Sequence, residues 1–171
     1  TVAKSQYIHN LLRQQLHTDR FYREYRGIAI GAPPAEAGRI ELPIARAEGS
    51  PIKRCTAAGG AEALTEYQVL CRRGELTLLR LMPRTGRTHQ LRVHLAAIGC
   101  PLLGDWLYGT EDTERIGRPA LHAALLRLRH PLTGEALSLA AALPADMARF
   151  FPDWREEQAL FDMFQTRPEG S

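Results

Sequence analysis

No run of apolar residues in this sequence approaches the ~20 that a bilayer-spanning helix needs, and no signal-peptide pattern opens it. That excludes a membrane partner of the spanning kind. Three cysteines, Cys55, Cys71 and Cys100, are odd in number and follow no metal or redox spacing, so they read as reduced thiols of a cytoplasmic protein. Internal repeats and low-complexity segments are absent. Acidic residues are nearly missing between Arg72 and Arg92, where six arginines (72, 73, 80, 84, 87 and 92) meet the single acid Glu75. Such a stripe either faces a polyanion or is a solvated charged face. A starting methionine is also lacking: the chain opens on Thr1, as a processed or trimmed product would.

What is present describes one domain. The 171 residues are 44% apolar and 24% charged with a net charge of +3, enough chain for a single core and too little for two ordinary ones. Ser5 can cap a helix through about Leu16 with Ile8, Leu11 and Leu12 as its apolar stripe. Residues 21–30 are rich in aromatic and β-branched types and read as a strand, followed by the loop Gly31-Ala-Pro-Pro. A short strand is expected over 40–42, and residues 47–61 read as a mobile surface loop. Residues 62–71 and 75–82 flank Arg72-Arg73-Gly74 as a hairpin. Residues 110–119 read as loop, 121–129 as a strand, and Pro131 to Gly134 as a turn into 135–140. Pro144 opens a last helix with Met147, Phe150 and Phe151 inward, and the tail 166–171 should fray from a domain of 1–165. Many strands with few helices predict an α+β domain on a mixed, largely antiparallel central sheet with flanking helices.

Residues 81–109, LMPRTGRTHQLRVHLAAIGCPLLGDWLYG, are the stretch the rest of the chain serves. A strand end leads to a turn at Thr85-Gly86, where Gly86 is expected to supply a backbone angle that residues with a Cβ avoid. Thr88 is the N-cap candidate, Leu91, Leu95 and Ile98 form one apolar face, and Gly99 with Pro101 ends the helix. The N-terminus of that helix, carrying Arg87, suits a carboxylate or a phosphate.

The segment TGRTHQLRVHLAAIGCPLLGDWLYG resembles the signature of RluA-like pseudouridine synthases, which isomerise uridine in structured RNA. KSQYIHNLL, REYRGIAIG, SPIKR, ALTEYQVL and ALHAALLRLRHPLTGE are similar to the family in the same order, so the resemblance covers about residues 1–143. It implies a mixed central sheet, cofactor-free chemistry and a structured RNA partner (rRNA or tRNA). One departure matters: the family's H-R-L-D-x-x-T-S-G motif, which holds the nucleophilic aspartate just ahead of the position of Thr1, is not in this sequence. The resemblance therefore implies a pseudouridine synthase whose 171 residues alone are inactive and lack sheet strands. A sheet edge exposed near Thr1 would then invite self-association. The alternative is an RNA-binding module without catalysis.

Read alone, Arg87 is a surface charge as readily as a functional group. The resemblance places it beside the nucleophilic aspartate, where a guanidinium would keep the carboxylate ionised and aimed, and without that aspartate its fork should be free. Tyr25 read alone is a packing residue, but it resembles the family's active-site tyrosine, which packs against the target base. Tyr22, three residues earlier, faces the other side of a strand and is structural. Lys53 and Arg54 match an SxKR-type segment and, with Arg84, His89 and Arg92, are the candidate RNA contacts. For Arg92, a phosphate and an internal partner both stay open. On a helix His89 and His94 lie about 140° apart, which excludes a shared metal, and no metal or cofactor is expected. His94 reads as a satisfied core histidine, and Asp105 in GDWLYG as a residue bonding its own turn.

Overall fold

The computed structural model describes residues 3–16, 18 and 20–155. Strand β1 (Tyr22–Ile30) is the middle of the molecule. It pairs antiparallel with β6 (Leu76–Pro83) on one side and β7 (Leu121–Arg129) on the other. Beyond β6 come β5 (Leu64–Arg73) and β2 (Ala37–Glu41), and beyond β7 comes β8 (Ala136–Ala140). The order is β2-β5-β6-β1-β7-β8, and every pairing among the described residues is antiparallel, the α+β arrangement expected.

Both faces of this sheet are covered, which is why β6 reads LTLLRLM rather than alternating cleanly. Leu79 and Leu81 pack on one side with Ala29, Leu102 and helix α2 (Gln90–Ala97), while Leu76 and Leu78 pack on the other with Ile28, Leu103, Met147 and Phe151. Leu78, Leu79 and Leu81 are fully buried, each stabilising by about 1.5–3 kcal/mol. On α2, Leu91 and Leu95 face the first cluster with Ile98 against it, as the i, i+4, i+7 spacing predicts. Gly99 takes φ +77 and Cys100 N–H reaches back to the Leu95 carbonyl at 2.9 Å, closing the helix.

Helix α1 (Gln6–Gln15) starts where expected, with Ser5 Oγ accepting from Ile8 N–H at 3.3 Å, although its apolar stripe is only half-buried. The Gln15 amide both donates to and accepts from the backbone of Arg129, tying α1 to β7. The β5–β6 link is the pair Gly74-Glu75, with Gly74 at φ +59, one residue later than the sequence reading. Residues 47–61 are not simply a loop. β3 (Ile44–Arg46) and β4 (Arg54–Thr56) form a separate two-stranded ribbon, too short for alternation to reveal, closed by Ala47 N–H on the Lys53 carbonyl at 3.0 Å. Helix α3 (Ala145–Ala148) follows Pro144 and buries Met147. The readings at Thr1-Val2 and at the tail 166–171, with its boundary at 165, lie outside the described residues.

Candidate active site

The register of β1 shifts against β7 between Glu24 and Tyr25, a bulge of the kind that re-aims a side chain. On one side of β1, Tyr22, Glu24 and Arg26 form a closed network. Glu24 Oε1 accepts from Arg26 at 2.5 Å, and Oε2 meets Arg80 at 2.9 Å and Tyr22 Oη–H at 2.8 Å. Burial alone would raise the Glu24 carboxyl. The Arg26 hydrogen bond and charge, with help from Tyr22 and Arg80, outweigh it and hold the group below its usual range. Tyr22 is structural, as its phase predicted.

Tyr25 faces the other way. It lines a hollow of about 280 Å³ together with Arg23, Arg87, His89, Arg92 and Leu121. Two residues 62 positions apart in sequence, Tyr25 and Arg87, therefore meet in one cavity, and no acidic residue among those described lines it. Arg87 is held by a single bond, Nε to the Glu62 carbonyl at 2.9 Å, and its terminal nitrogens have no partner among the described residues.

The loop carrying Arg87 is fixed by Gln90, a buried residue that sequence reasoning missed. Its Oε1 accepts from Thr85 Oγ1–H at 2.7 Å and Arg87 N–H at 2.9 Å, and its Nε2 donates to the Leu64 carbonyl at 2.9 Å and Thr65 Oγ1 at 3.1 Å. Thr65 passes its own proton to His94 Nδ1 at 2.9 Å, and His94 Nε2–H donates to the Leu42 carbonyl at 2.9 Å. Every polar atom of this chain is used, so the loop is pinned to β5 without a free donor. Burial lowers the His94 pKa, partly offset by the Leu42 carbonyl. It is the satisfied core histidine expected.

Thr88 does not cap α2. The N-cap is His89, whose φ of +56 makes it the one non-glycine left-handed residue among those described. Gly86 does not have a positive φ. Its missing Cβ instead leaves room for the Arg23 guanidinium, 3.4 Å from where that atom would stand, and Arg23 Nη2 donates to the Thr85 carbonyl at 3.2 Å. Strain sits on the histidine because its ring is captured: Nδ1 meets Tyr108 Oη at 2.8 Å. That hydroxyl already accepts from Arg54 N–H at 2.9 Å. Donated to Nδ1, its proton would leave His89 neutral with the hydrogen on Nε2. Burial and then the Arg92 and Arg54 charges lower its pKa, which agrees.

The remaining candidates separate. Arg92 lies in the hollow wall but is committed internally, its Nε and Nη2 bonding Asp105 at 2.8 and 2.7 Å. Those bonds raise its pKa, against burial. Asp105 is fully buried and also accepts from Leu107 and Tyr108 N–H, the turn-bonding role expected. Arg84 is outside the hollow and doubly bonded to Glu66, at 2.9 and 2.6 Å. Lys53 is exposed on the β3–β4 ribbon, and Arg54 reaches the site only through Tyr108, with its Nη1 buried and unpartnered. The arginine stripe is thus largely neutralised. Arg72, Arg80, Arg84 and Arg92 pair with Glu36, Glu24, Glu66 and Asp105, leaving Arg73 and Arg87 without a carboxylate. Arg23 was also missed, although it shares Tyr25's phase on β1, two residues away.

The family model described as RNA pseudouridylate synthase matches residues 1–97, a span that includes Tyr25 and Arg87. The chain is 38% identical over 148 residues to "Uncharacterized RNA pseudouridine synthase YjbO" of Bacillus subtilis, covering 86% of this chain and 52% of that protein. It is 41% identical over 161 residues to "Ribosomal large subunit pseudouridine synthase D" of Haemophilus ducreyi, covering 85% and 48%. The chain spans about half the length of the curated relatives it matches. Among solved structures, "Human RNA Pseudouridylate Synthase Domain Containing 4" superposes with a TM-score of 0.67 at 26% identity, covering 86% of this chain and 67% of the other.

Proposed function

The chain belongs to the RNA pseudouridylate synthase family, and on that premise we propose that the Tyr25–Arg87 hollow receives a uridine flipped from structured RNA and takes part in its conversion to pseudouridine. The observation that carries this reading is the meeting of Tyr25 and Arg87 in one hollow of about 280 Å³. Tyr25 stands against the base and Arg87 against a carboxylate. His89, with its hydrogen on Nε2, offers a neutral donor to a pyrimidine carbonyl. Flipping costs a few kcal/mol, and the pinned Gln90 loop keeps the receiving geometry fixed in advance.

In the reaction, cleavage of the C1′–N1 bond is assisted by a carboxylate, the uracil turns, C5 joins C1′, and the C5 proton is lost as N1 gains one. That carboxylate is not among the residues lining the hollow. Asp105 cannot serve, being buried under four hydrogen bonds. The family's H-R-L-D-x-x-T-S-G motif is absent from these 171 residues, so on this reading they show no turnover by themselves. The relatives named for the ribosomal large subunit favour ribosomal RNA as the substrate. Edge strand β8, exposed at four of five positions, supports self-association, which light scattering over a concentration series would reveal.

Tritium release from C5-labelled uridine in RNA tests the reading. The chain alone should release none. A protein that carries an H-R-L-D-x-x-T-S-G segment ahead of Thr1 should release it, and Tyr25→Phe or Arg87→Ala in that protein should stop it. Tight RNA binding without release by the longer protein would favour a non-catalytic binding module, a reading to which the acid-free hollow also lends support.

A further inference from the structure

The hollow at Tyr25 adjoins two others. It shares Arg23 and Pro83 with a second hollow of about 220 Å³, beside Phe21 and Arg84. The second shares Thr18 with a third, of about 580 Å³, between the end of α1 and the β7–β8 turn, where Arg20, Arg129 and His130 stand. No acidic residue among those described lines any of the three. That is unusual here, because eight arginines elsewhere or in its walls (26, 39, 72, 80, 84, 92, 115 and 118) pair with carboxylates. In the trough, Arg23, Arg87 and Arg129 meet only backbone carbonyls through hydrogen bonds.

The trough is also built rather than incidental. Gln15 clamps α1 onto the Arg129 backbone at 3.0 Å in both directions, fixing one wall. Midway, the Arg23 guanidinium lies over the Phe21 ring, 5.6 Å from its centroid, a cationic and aromatic surface on which a base can stack. Cations at Arg20, Arg23, Arg87 and Arg129 that meet no carboxylate among the described residues, with one stacking platform, suit an unpaired polynucleotide strand better than a protein or a compact anion.

We propose that this trough carries the single-stranded RNA flanking the target uridine, from the Tyr25 hollow past Phe21 and Arg23 to Arg20, Arg129 and His130. The proposal rests on the hollow's being the nucleotide site. It places RNA contacts on residues distinct from Lys53, Arg54, Arg84 and Arg92, and it sets a footprint extending to one side of the target. Each phosphate met there releases counterions, adding about 0.7 to the slope of log affinity against log salt for a single strand.

Fluorescence anisotropy across a salt series, with a uridine-bearing RNA hairpin and a uridine trinucleotide as probes, tests it. The Arg20→Ala, Arg129→Ala double variant should weaken hairpin binding and flatten the hairpin slope by up to about 1.4 units, while leaving trinucleotide binding unchanged. Arg87→Ala should weaken both probes. Arg72→Ala, paired with Glu36 away from the trough, should change neither. Should the double variant unfold, Arg20→Gln carries the same test, since that exposed side chain has no partner among the described residues. An unaltered hairpin slope while Arg87→Ala still weakens binding overturns the trough alone. A slope that falls as expected while Arg87→Ala has no effect overturns the hollow reading, and with it the placing of a target uridine at the end of the trough. No RNA binding by any form overturns both.

Discussion

The two faces of β1 divide two kinds of work between neighbouring residues. Glu24 and Arg26 are both fully buried and bond each other, so on their face every charge is spent inside the fold. Tyr25, between them, looks into a hollow where Arg87 has unfilled donors and no carboxylate stands. One face is closed by its own counter-charges, and the other is left for something to complete. Buried, paired charge fixes the strand, and that fixed strand is what aims Tyr25.

The comparison can be broken most forcefully on the closed face. Glu24→Ala removes the buried carboxylate that Arg26 and Arg80 share and should cost about 3–5 kcal/mol, read by urea unfolding. Tyr25→Phe next door should cost under about 1 kcal/mol, because its ring stays packed. Gln90→Ala comes next. It orphans Arg87 N–H and the Thr85 hydroxyl, each buried loss worth about 1–3 kcal/mol, and should also weaken RNA binding by loosening the Arg87 loop.

Acid sharpens the same division. His89 and His94 have folded pKa values below 6.5, lowered chiefly by burial. As pH falls through 6.5 the unfolded chain takes up protons first, so it is favoured and stability declines. Thermal unfolding between pH 7.5 and 5 should show this decline, and a smaller one in Tyr108→Phe, where Nδ1 of His89 is released. Smallest on stability is Arg87→Ala, expected within about 0.5 kcal/mol because the side chain is exposed, with its effect confined to RNA binding.

How far the sequence could be read follows from how local each feature is. The core face of α2, the Gly99 stop, β1 and β7 rest on spacing within ten residues and were legible. The arginine stripe misled because its counter-charges are remote: Glu24 is 56 residues from Arg80, and Glu36 is 36 from Arg72. The N-cap failed for a similar reason. Thr88 has the right chemistry, but a bond from Tyr108, 19 residues on, holds His89 in the left-handed conformation instead. Gln90 could have been suspected as a polar residue beside Leu91 on the helix's inward side. Arg23 was within reach through its two-residue phase with Tyr25. The β3–β4 ribbon, with three residues a strand, carries no periodic signal at all.

The central claim is that the open face of β1 is a nucleotide site. Its most direct test is an NMR titration of the 171-residue chain with uridine 5′-monophosphate at millimolar concentration, following the Tyr25 ring, the Arg87 Nε–H and the His89 Nε2–H. The three signals should shift together along one binding curve, with Tyr22 unmoved behind the strand. Shifts confined to other surfaces, or a His89 ring carrying its hydrogen on Nδ1 and indifferent to the nucleotide, would contradict the account.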